Sequence, residues 1–158
     1  MKNTAHFAYW PPKLTKTLTI PETTIFDNLV ISAKKYPNKT AIQYYGTSIS
    51  YQEILQQSEQ LAGYLEKELK VRKGDHVLLF MQNAPQYIIS MFAILRAEAV
   101  IVPINPMSTT DDLRFFVNDG NIQHALVGQE LFAKIAPLQE KNQIENIVVA
   151  TYSEYATP

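Results

Sequence analysis

Cysteine is absent from the 158-residue sequence. Its absence excludes disulfide bonds, thiol catalysis and thiolate-bound metal ions. An excess of one charge is also missing, since 14 basic and 15 acidic side chains give a formal net charge of -1. A chain without a basic surplus has no electrostatic reason to bind nucleic acid or an anionic membrane. We therefore expect a protein that does not bind nucleic acid.

Long hydrophobic runs are missing as well. The longest nearly apolar stretch, residues 88–104, contains Arg96, Glu98 and Pro103. A membrane-spanning helix needs about 20 predominantly apolar residues, and the N-terminal residues lack the apolar centre of a signal peptide. We expect a soluble protein without a transmembrane segment, and the absence of cysteine fits a cytoplasmic location.

Glycine is scarce, and the five glycines form neither G-x-G-x-x-G nor G-x-x-x-x-G-K-[ST]. The turn after the first predicted parallel strand, residues 82–85, contains no glycine. This argues against a dinucleotide or nucleoside-triphosphate loop at that turn. We interpret Asn83 as a helix cap, although backbone amides at the start of the Ala84 helix could meet an anion.

Other catalytic patterns are also missing. The three histidines His6, His76 and His124 lack metal-site spacing, and we interpret the last two as solvated or hydrogen-bonded structural residues. No serine lies in a G-x-S-x-G motif. Asp111 and Asp112 could bind a cation, but the helix dipole explains two carboxylates in a first turn. The residues alone therefore indicate no catalytic, cofactor-binding or metal-binding side chain.

Alternating apolar segments dominate what is present. Residues 77–81 and 100–104 are short apolar runs, and the apolar segment 87–95 lies between them. Two non-alternating strands joined by a helix indicate a right-handed β-α-β crossover with parallel strands. The order β-α-β-α-β-α-β from about residue 75 predicts an α/β fold with three layers and a mainly parallel sheet.

The remaining helix and strand signals fill in this order. A helix after Ser108 should end at Gly120, in the left-handed conformation that follows many helices. A strand at 124–127 and a helix at 129–136, stopped by Pro137, precede the last strand at 146–150. The residues after it show no periodic pattern.

An arm, a helix, a β-hairpin and a second helix precede the parallel strands. Tyr9 and Trp10 should pin the arm to the body by burying aromatic area. Thr24 should begin the first helix, and Ser50 with Glu53 should form a capping box for the second. The predicted units are an arm (1–24), a helix–hairpin–helix segment (25–74), a parallel α/β lobe (75–150) and a tail (151–158).

Five motifs follow one another along the chain: YPNKTAI (36–42), ISYQEI (49–54), KGDHV (73–77), QNAPQY (82–87) and AVIVPINP (99–106). Together, in this order and spacing, they resemble the beginning of an adenylate-forming (AMP-binding) acyl-CoA synthetase. The resemblance covers residues 20 to about 149. The arm, with Tyr9-Trp10-Pro11 and LTIPE at 18–22, resembles the lead-in of bacterial long-chain fatty acyl-CoA ligases.

The resemblance implies a ligase that uses ATP and Mg²⁺ to form an acyl-adenylate from a fatty acid and then transfers the acyl group to CoA. It implies that this chain is part of the family's large N-terminal domain. The family's phosphate loop, its Tyr-Gly-x-Thr-Glu motif, its ribose-binding Asp and the small C-terminal domain with its catalytic lysine are not in this sequence. We therefore expect an inactive fragment without catalytic residues or bound cofactor, whether from expression, a truncated frame or a split gene.

Glu98 departs from the family pattern, because a glycine normally precedes the Ala-Val of the last motif. The helix end at residues 96–98 must turn without it, which should strain or loosen that end.

Two other classes of protein stay open: a stand-alone α/β binding or interaction domain, and an aryl-type or peptide-synthetase-type adenylating enzyme. Uncovered helix faces and a strand edge should also favour self-association, as in a homodimer.

Overall fold

The computed structural model describes residues 5–141 and 143–156. The parts of the predicted arm at 1–4 and of the predicted tail at 157–158 lie outside these residues. The first body helix, α1 (Ile25–Lys35), leads into a hairpin of β1 (Thr40–Tyr44) and β2 (Thr47–Ser50), followed by α2 (Tyr51–Lys67).

Strands and helices then alternate. In chain order they are β3 (His76–Phe80), α3 (Pro85–Arg96), β4 (Val100–Pro103), α4 (Thr110–Asp119), β5 (His124–Gly128), α5 (Phe132–Glu140) and β6 (Asn146–Ala150). The four strands β3 to β6 form one parallel sheet in the order β4-β3-β5-β6. The predicted alternation and parallel sheet are confirmed.

Opposite faces of the sheet bury different side chains of β3. Leu78 and Phe80 pack in a cluster with residues of α4 and α5, such as Leu113 and Ile135. Val77 and Leu79 pack on the other face, in a cluster with residues of α2 and α3. Every residue from Val77 to Phe80 has an exposed fraction of 0%, as expected for a central parallel strand. The structure thus has the predicted three layers.

A third apolar cluster joins α1, the hairpin and the N-terminal part of α2. Phe26, Leu29, Ile49 and Ile54 are its buried members. Tyr45 and Gly46 both have positive φ angles, 41° and 86°, as a two-residue type I′ hairpin turn requires. The predicted hairpin is confirmed. The division of the chain at residues 24, 74 and 150 stays a prediction.

Capping boxes begin three of the helices. The side chains of Thr24, Ser50 and Thr109 each accept a hydrogen bond from the backbone N–H three residues later. The acidic side chain at that later position accepts in return from the backbone of the capping residue. The predicted helix starts at Thr24 and Ser50 are therefore confirmed. They could be predicted because a capping box involves only residues three positions apart in the chain.

The arm does not use its aromatic residues as predicted. Residues Ala5–Tyr9 form a 3-10 helix without buried residues, and Tyr9 is 92% exposed. Trp10 is 37% exposed, packs edge-on against Phe7 and donates from Nε1 to the carbonyl oxygen of Thr15 at 3.1 Å. The prediction that Tyr9 and Trp10 pin the arm to the body is wrong, since these ring and hydrogen-bond contacts lie within the arm.

The predicted end of α4 at Gly120 is confirmed, but the left-handed conformation predicted for Gly120 and the helix end predicted at Pro137 are wrong. Gly120 has a φ of −84°, and Asn121 instead takes the left-handed conformation with a φ of 46°. A Cβ atom at Gly120 would lie 3.0 Å from Ile122 Cγ1, so close packing is what favours glycine there. Pro137 lies inside α5, between Ile135 and Leu138, which are both fully buried. Burial of these side chains offsets the backbone hydrogen bond that proline cannot donate.

Candidate functional site

The carboxyl ends of β3 and β5 form the place where an open parallel sheet usually binds ligands. After β3 the chain crosses to β4 on one side, whereas β5 and β6 lie on the other. Such a reversal of direction leaves a crevice outside the strand ends. Met81 and Gln82 follow β3, and Gln129–Leu131 follow β5.

Tyr152 occupies this crevice. Its hydroxyl oxygen accepts a hydrogen bond from the backbone N–H of Gln82 at 2.9 Å and donates one to Oε1 of Glu130, also at 2.9 Å. Gly128, the last residue of β5, leaves room for the ring, since a Cβ atom there would lie 2.2 Å from the Tyr152 hydroxyl. The chain therefore fills its own switch-point crevice with a side chain.

The hydroxyl of Tyr152 is held in its neutral form. Burial is the largest cause that raises its pKa to about 12, and the bond to the Glu130 carboxylate acts in the same direction. The bond from the Gln82 backbone lowers the pKa but is outweighed. Below its pKa the Tyr152 hydroxyl keeps its proton. It therefore donates a hydrogen bond to the Glu130 carboxylate and does not act as a base near neutral pH.

The start of α3 differs from the prediction. Ala84 is the N-cap, without a side-chain hydrogen bond, and Pro85 occupies the first helical turn. The interpretation of Asn83 as the helix cap is therefore wrong by one position. Proline at the first helical position has a suitable φ angle and no N–H that needs a partner, so this helix starts without a capping side chain.

Residues 151–156, which we call the strap, cross the sheet end and α3. The Nε2 atom of Gln86 donates to the carbonyl oxygen of Thr151 at 2.6 Å. The hydroxyl of Tyr155 donates to Oε1 of Gln57 on α2, and burial raises the pKa of Tyr155. Together with the bonds of Tyr152 to Gln82 and Glu130, these contacts fix the strap to α2, α3 and the segments that follow β3 and β5.

Sequence reasoning missed the strap, and the only local signal for it is the pair of tyrosines three residues apart. Its partners are remote in the chain: Gln82 lies 70 residues from Tyr152, and Gln57 lies 98 residues from Tyr155. Helical or strand periodicity cannot predict such contacts, because it describes only residues a few positions apart, whereas these partners lie 70 and 98 residues away.

His76 and His124 are hydrogen-bonded, as predicted. Nδ1 of His76 donates to the carbonyl oxygen of Gly120 at 2.6 Å. Nδ1 of His124 lies 3.2 Å from Nδ2 of Asn146. His6 packs against the rings of Phe7 and Trp10 in the arm. Within residues 5–141 and 143–156, no three His, Asp or Glu side chains are placed to hold a metal ion.

The acidic pair at the start of α4 serves the helix itself. Asp112 bonds the backbone and hydroxyl of Thr109, and these bonds lower the pKa of its carboxyl. Asp111 pairs with Arg114 three residues later. The two carboxylates thus have separate partners, and this geometry favours the interpretation of Asp111 and Asp112 as helix-start residues over a cation site. That no catalytic residue lies in the chain stays a prediction.

The structure contains no helix, within its described ranges, that is long and apolar enough to cross a membrane. This agrees with the sequence, in which charged residues and proline interrupt the longest apolar stretch.

Comparison with known proteins gives one family and many similar structures. The family described as "AMP-binding enzyme" matches residues 29–157. A long-chain-fatty-acid–CoA ligase of Bacillus subtilis is 28% identical over 148 residues, which cover 94% of this chain and 26% of the ligase. The chain thus spans about a quarter of the length of this relative.

Solved structures give the same picture. A long-chain-fatty-acid-CoA ligase from Archaeoglobus fulgidus superposes with a TM-score of 0.76 at 28% identity, over 88% of this chain and 30% of the other. An anthranilate CoA ligase in complex with anthranoyl-AMP has a TM-score of 0.75 at 24% identity, over 84% and 25% of the two chains. At 24% identity, the second comparison shows similarity of fold only.

Proposed function

The chain belongs to the family of AMP-binding enzymes, and from that membership we propose that it forms the N-terminal part of a long-chain fatty acid–CoA ligase. The observation that carries the proposal is similarity to such a ligase over 94% of this chain. A cytoplasmic location is part of the same proposal.

The reaction of such a ligase has two steps. A fatty acid carboxylate attacks the α-phosphorus of ATP, which gives an acyl-adenylate and releases pyrophosphate. The sulfur of CoA then attacks the acyl carbon, which forms the thioester and releases AMP. In this proposal the present chain supplies the sheet and helices behind the site, and residues elsewhere in the enzyme contact the substrates.

The geometry of the switch-point crevice favours a structural role for this chain, in which it does not contact the substrates. The switch-point crevice, where a nucleotide would bind in many open sheets, is filled by Tyr152. In the ligase, Mg²⁺ would neutralise phosphate charge, but among the described residues no cluster of His, Asp or Glu side chains fits it. We therefore place no metal-dependent step on this chain.

Palmitate-dependent exchange between ATP and pyrophosphate tests the proposal. The 158-residue chain should catalyse no exchange above the buffer rate, whereas an intact long-chain ligase under the same conditions should. Exchange by the chain alone would show that it contains an adenylating site, and would overturn the inactive-fragment proposal.

A stand-alone binding domain is the second candidate, and the three apolar clusters that this chain forms favour it. Calorimetric titration with ATP, AMP, CoA and palmitate separates the two. Saturable binding of one of these ligands supports the binding domain, and no heat of binding supports the inactive segment. An aryl-CoA or peptide-synthetase enzyme is the third candidate, and activity on those acids by the intact enzyme would favour it.

We also propose that the isolated chain self-associates. β4 and β6 are the two edges of the sheet, and Val100, Met107, Phe115 and Val149 are large apolar side chains that are at least 42% exposed. Exposed edges and apolar patches promote association. Sedimentation velocity should give a dimer or larger species, and a strictly monomeric profile without hydrophobic-dye binding would contradict this.

A further inference from the structure

The loop that connects β4 to α4, residues 104–109, is bound by a side chain of α5. We call these residues the β4 loop. Nζ of Lys134 donates hydrogen bonds to the carbonyl oxygen of Pro106 at 2.8 Å and to that of Ser108 at 3.0 Å. Lys134 lies in the first turn of α5, 28 and 26 residues after these two acceptors. One ammonium group therefore bridges two carbonyl groups of the β4 loop.

Further hydrogen bonds order the β4 loop and join it to α5. The backbone N–H of Met107 donates to Oδ1 of Asn105, and the backbone N–H of Ser108 donates to the carbonyl oxygen of Asn105, both at 2.9 Å. The hydroxyl of Thr110, at the start of α4, donates to the carbonyl oxygen of Lys134 at 2.8 Å. Lys134 thus contacts both the loop and the helix that follows it.

The β4 loop lies at the edge of the sheet that the carboxyl ends of the strands form. The backbone N–H of Ile104 donates to the carbonyl oxygen of Leu79 in β3 at 3.0 Å. Nζ of Lys134 lies 6.0 Å from the ring centre of Phe80, the last residue of β3. Open parallel sheets bind ligands outside this edge, so Lys134 orders a loop where a ligand site is expected.

The charge of Lys134 makes these contacts strong. Within the residues that the structure describes, Lys134 forms no ion pair with a carboxylate. The side chain is half-buried, and its partners are the two loop carbonyl oxygens and the face of the Phe80 ring. Hydrogen bonds from a charged donor are roughly twice as strong as those between neutral groups. Loss of the ammonium group should therefore release the β4 loop.

We propose that Lys134 is a positioning residue, which fixes the β4 loop at the edge of the sheet where the ligase binds its substrates. Lys134 contacts no substrate in this proposal. It acts through the carbonyl groups of Pro106 and Ser108. The consequence for catalysis rests on the proposed function, whereas the effect on the loop can be measured in the chain alone.

Backbone order of the loop tests this effect. Lys134→Met removes the charge and all three donors at similar length. NMR order parameters of the Met107 and Ser108 amides should fall from about 0.85 to below about 0.6, without a change in β5. Lys134→Arg should keep them ordered, because a guanidinium group also donates to carbonyl oxygens. Lys141→Met is the matched control, since Lys141 is exposed at the end of α5, and it should have no effect.

The unsubstituted chain provides a test that needs no folded variant. The ammonium protons of Lys134 should exchange with water about tenfold more slowly than those of Lys141, the effect of about one charge-assisted hydrogen bond. Equal exchange rates at the two lysines would overturn the proposal. An ordered loop in Lys134→Met, or a loop as mobile in Lys134→Arg as in Lys134→Met, would also overturn it.

Kinetics in a chimera separates this inference from the proposed function. Residues 1–156 replace the corresponding segment of the Bacillus subtilis ligase, and palmitate-dependent exchange between ATP and pyrophosphate is measured. Lys134→Met should lower kcat about tenfold, because small displacements near a site are costly, and Lys134→Arg should restore it to within about threefold. An inactive unsubstituted chimera would contradict the proposed function alone. An active chimera in which Lys134→Met leaves kcat unchanged would overturn the positioning role.

Discussion

Glu98 ends α3 in a conformation that suits glycine. Its φ angle is 56°, and this confirms the strain expected from the absence of glycine at that position. The left-handed conformation costs a residue with a side chain about 1–2 kcal/mol. Glycine avoids this steric cost but loses more backbone entropy on folding, which offsets part of the difference. Glu98→Gly should therefore be about 1 kcal/mol more stable than Glu98→Ala in urea denaturation.

The comparison with alanine removes the effect of the ion pair. Glu98 pairs with Lys73 at 3.0 Å, but both side chains are largely exposed, and such pairs contribute about 0–1 kcal/mol. Both substitutions delete this pair equally. Lys73→Ala should change stability little, and equal stability of the Glu98→Gly and Glu98→Ala variants would show that the turn is not strained.

Gly128 leaves the space that the Tyr152 ring needs. Gly128→Ala should displace the hydroxyl of Tyr152 and destabilise the fold by about 1–3 kcal/mol, the usual range for overpacking. The loss should be smaller in a Tyr152→Phe background, because the nearest clashing atom is then absent. Chemical denaturation of the four chains measures this coupling, and additive losses would contradict a shared contact.

Gly63 offers the matched control. It lies inside α2, and a Cβ atom there would meet nothing within 4 Å. Gly63→Ala should stabilise the chain by about 0.5–1 kcal/mol, because alanine loses less backbone entropy in a helix. The same glycine-to-alanine change should thus act with opposite signs at the two positions.

Alkaline pH should destabilise the chain through Tyr152. Its pKa in the fold is raised from an ordinary value near 10 to about 12. The unfolded chain therefore loses this proton first, and the stabilisation present below pH 10 is lost as pH rises toward 12. Denaturation across this range should show a steeper fall for the unsubstituted chain than for Tyr152→Phe. Identical slopes would contradict a raised pKa of the half-buried Tyr152 hydroxyl.

At the scale of elements, capping boxes set the helix starts. In α2 the hydroxyl of Ser50 accepts from the Glu53 backbone at 3.2 Å, and the Glu53 carboxylate accepts from the Ser50 backbone at 2.7 Å. These bonds lower the pKa of Glu53. Ser50→Ala should destabilise the chain by about 1 kcal/mol, whereas Ser48→Ala, at an exposed position of β2, should have little effect in thermal denaturation.

Elements whose signals are local could be predicted from the sequence. The helix starts at Thr24 and Ser50, the hairpin and the buried strands depend on neighbours a few positions away, and these predictions are confirmed, whereas the cap predicted at Asn83 is wrong by one position. The conformation of Gly120 and the helix end at Pro137 were mispredicted because tertiary contacts decide them. Close approach of Ile122 favours Gly120, and buried side chains on both sides carry α5 past Pro137.

At the scale of the molecule, the position of the crevice could be predicted but its content could not. Alternating strands and helices predict a parallel sheet, and such sheets bind ligands at the carboxyl ends of their strands. Which strands are neighbours follows from the topology, and only the folded chain brings Tyr152 to Gln82 and Glu130. The scarcity of glycine is what argued against a phosphate loop after β3.

The central claim is that this chain supports a long-chain ligase site without containing it. A chimera tests it most directly: residues 1–156 replace the corresponding segment of the Bacillus subtilis ligase, and palmitate-dependent exchange between ATP and pyrophosphate is measured. The intact ligase, and the same ligase lacking that segment, are the controls. We predict that the chimera exchanges with palmitate while the 158-residue chain does not. A folded chimera that is inactive with palmitate, or an active isolated chain, would contradict the claim.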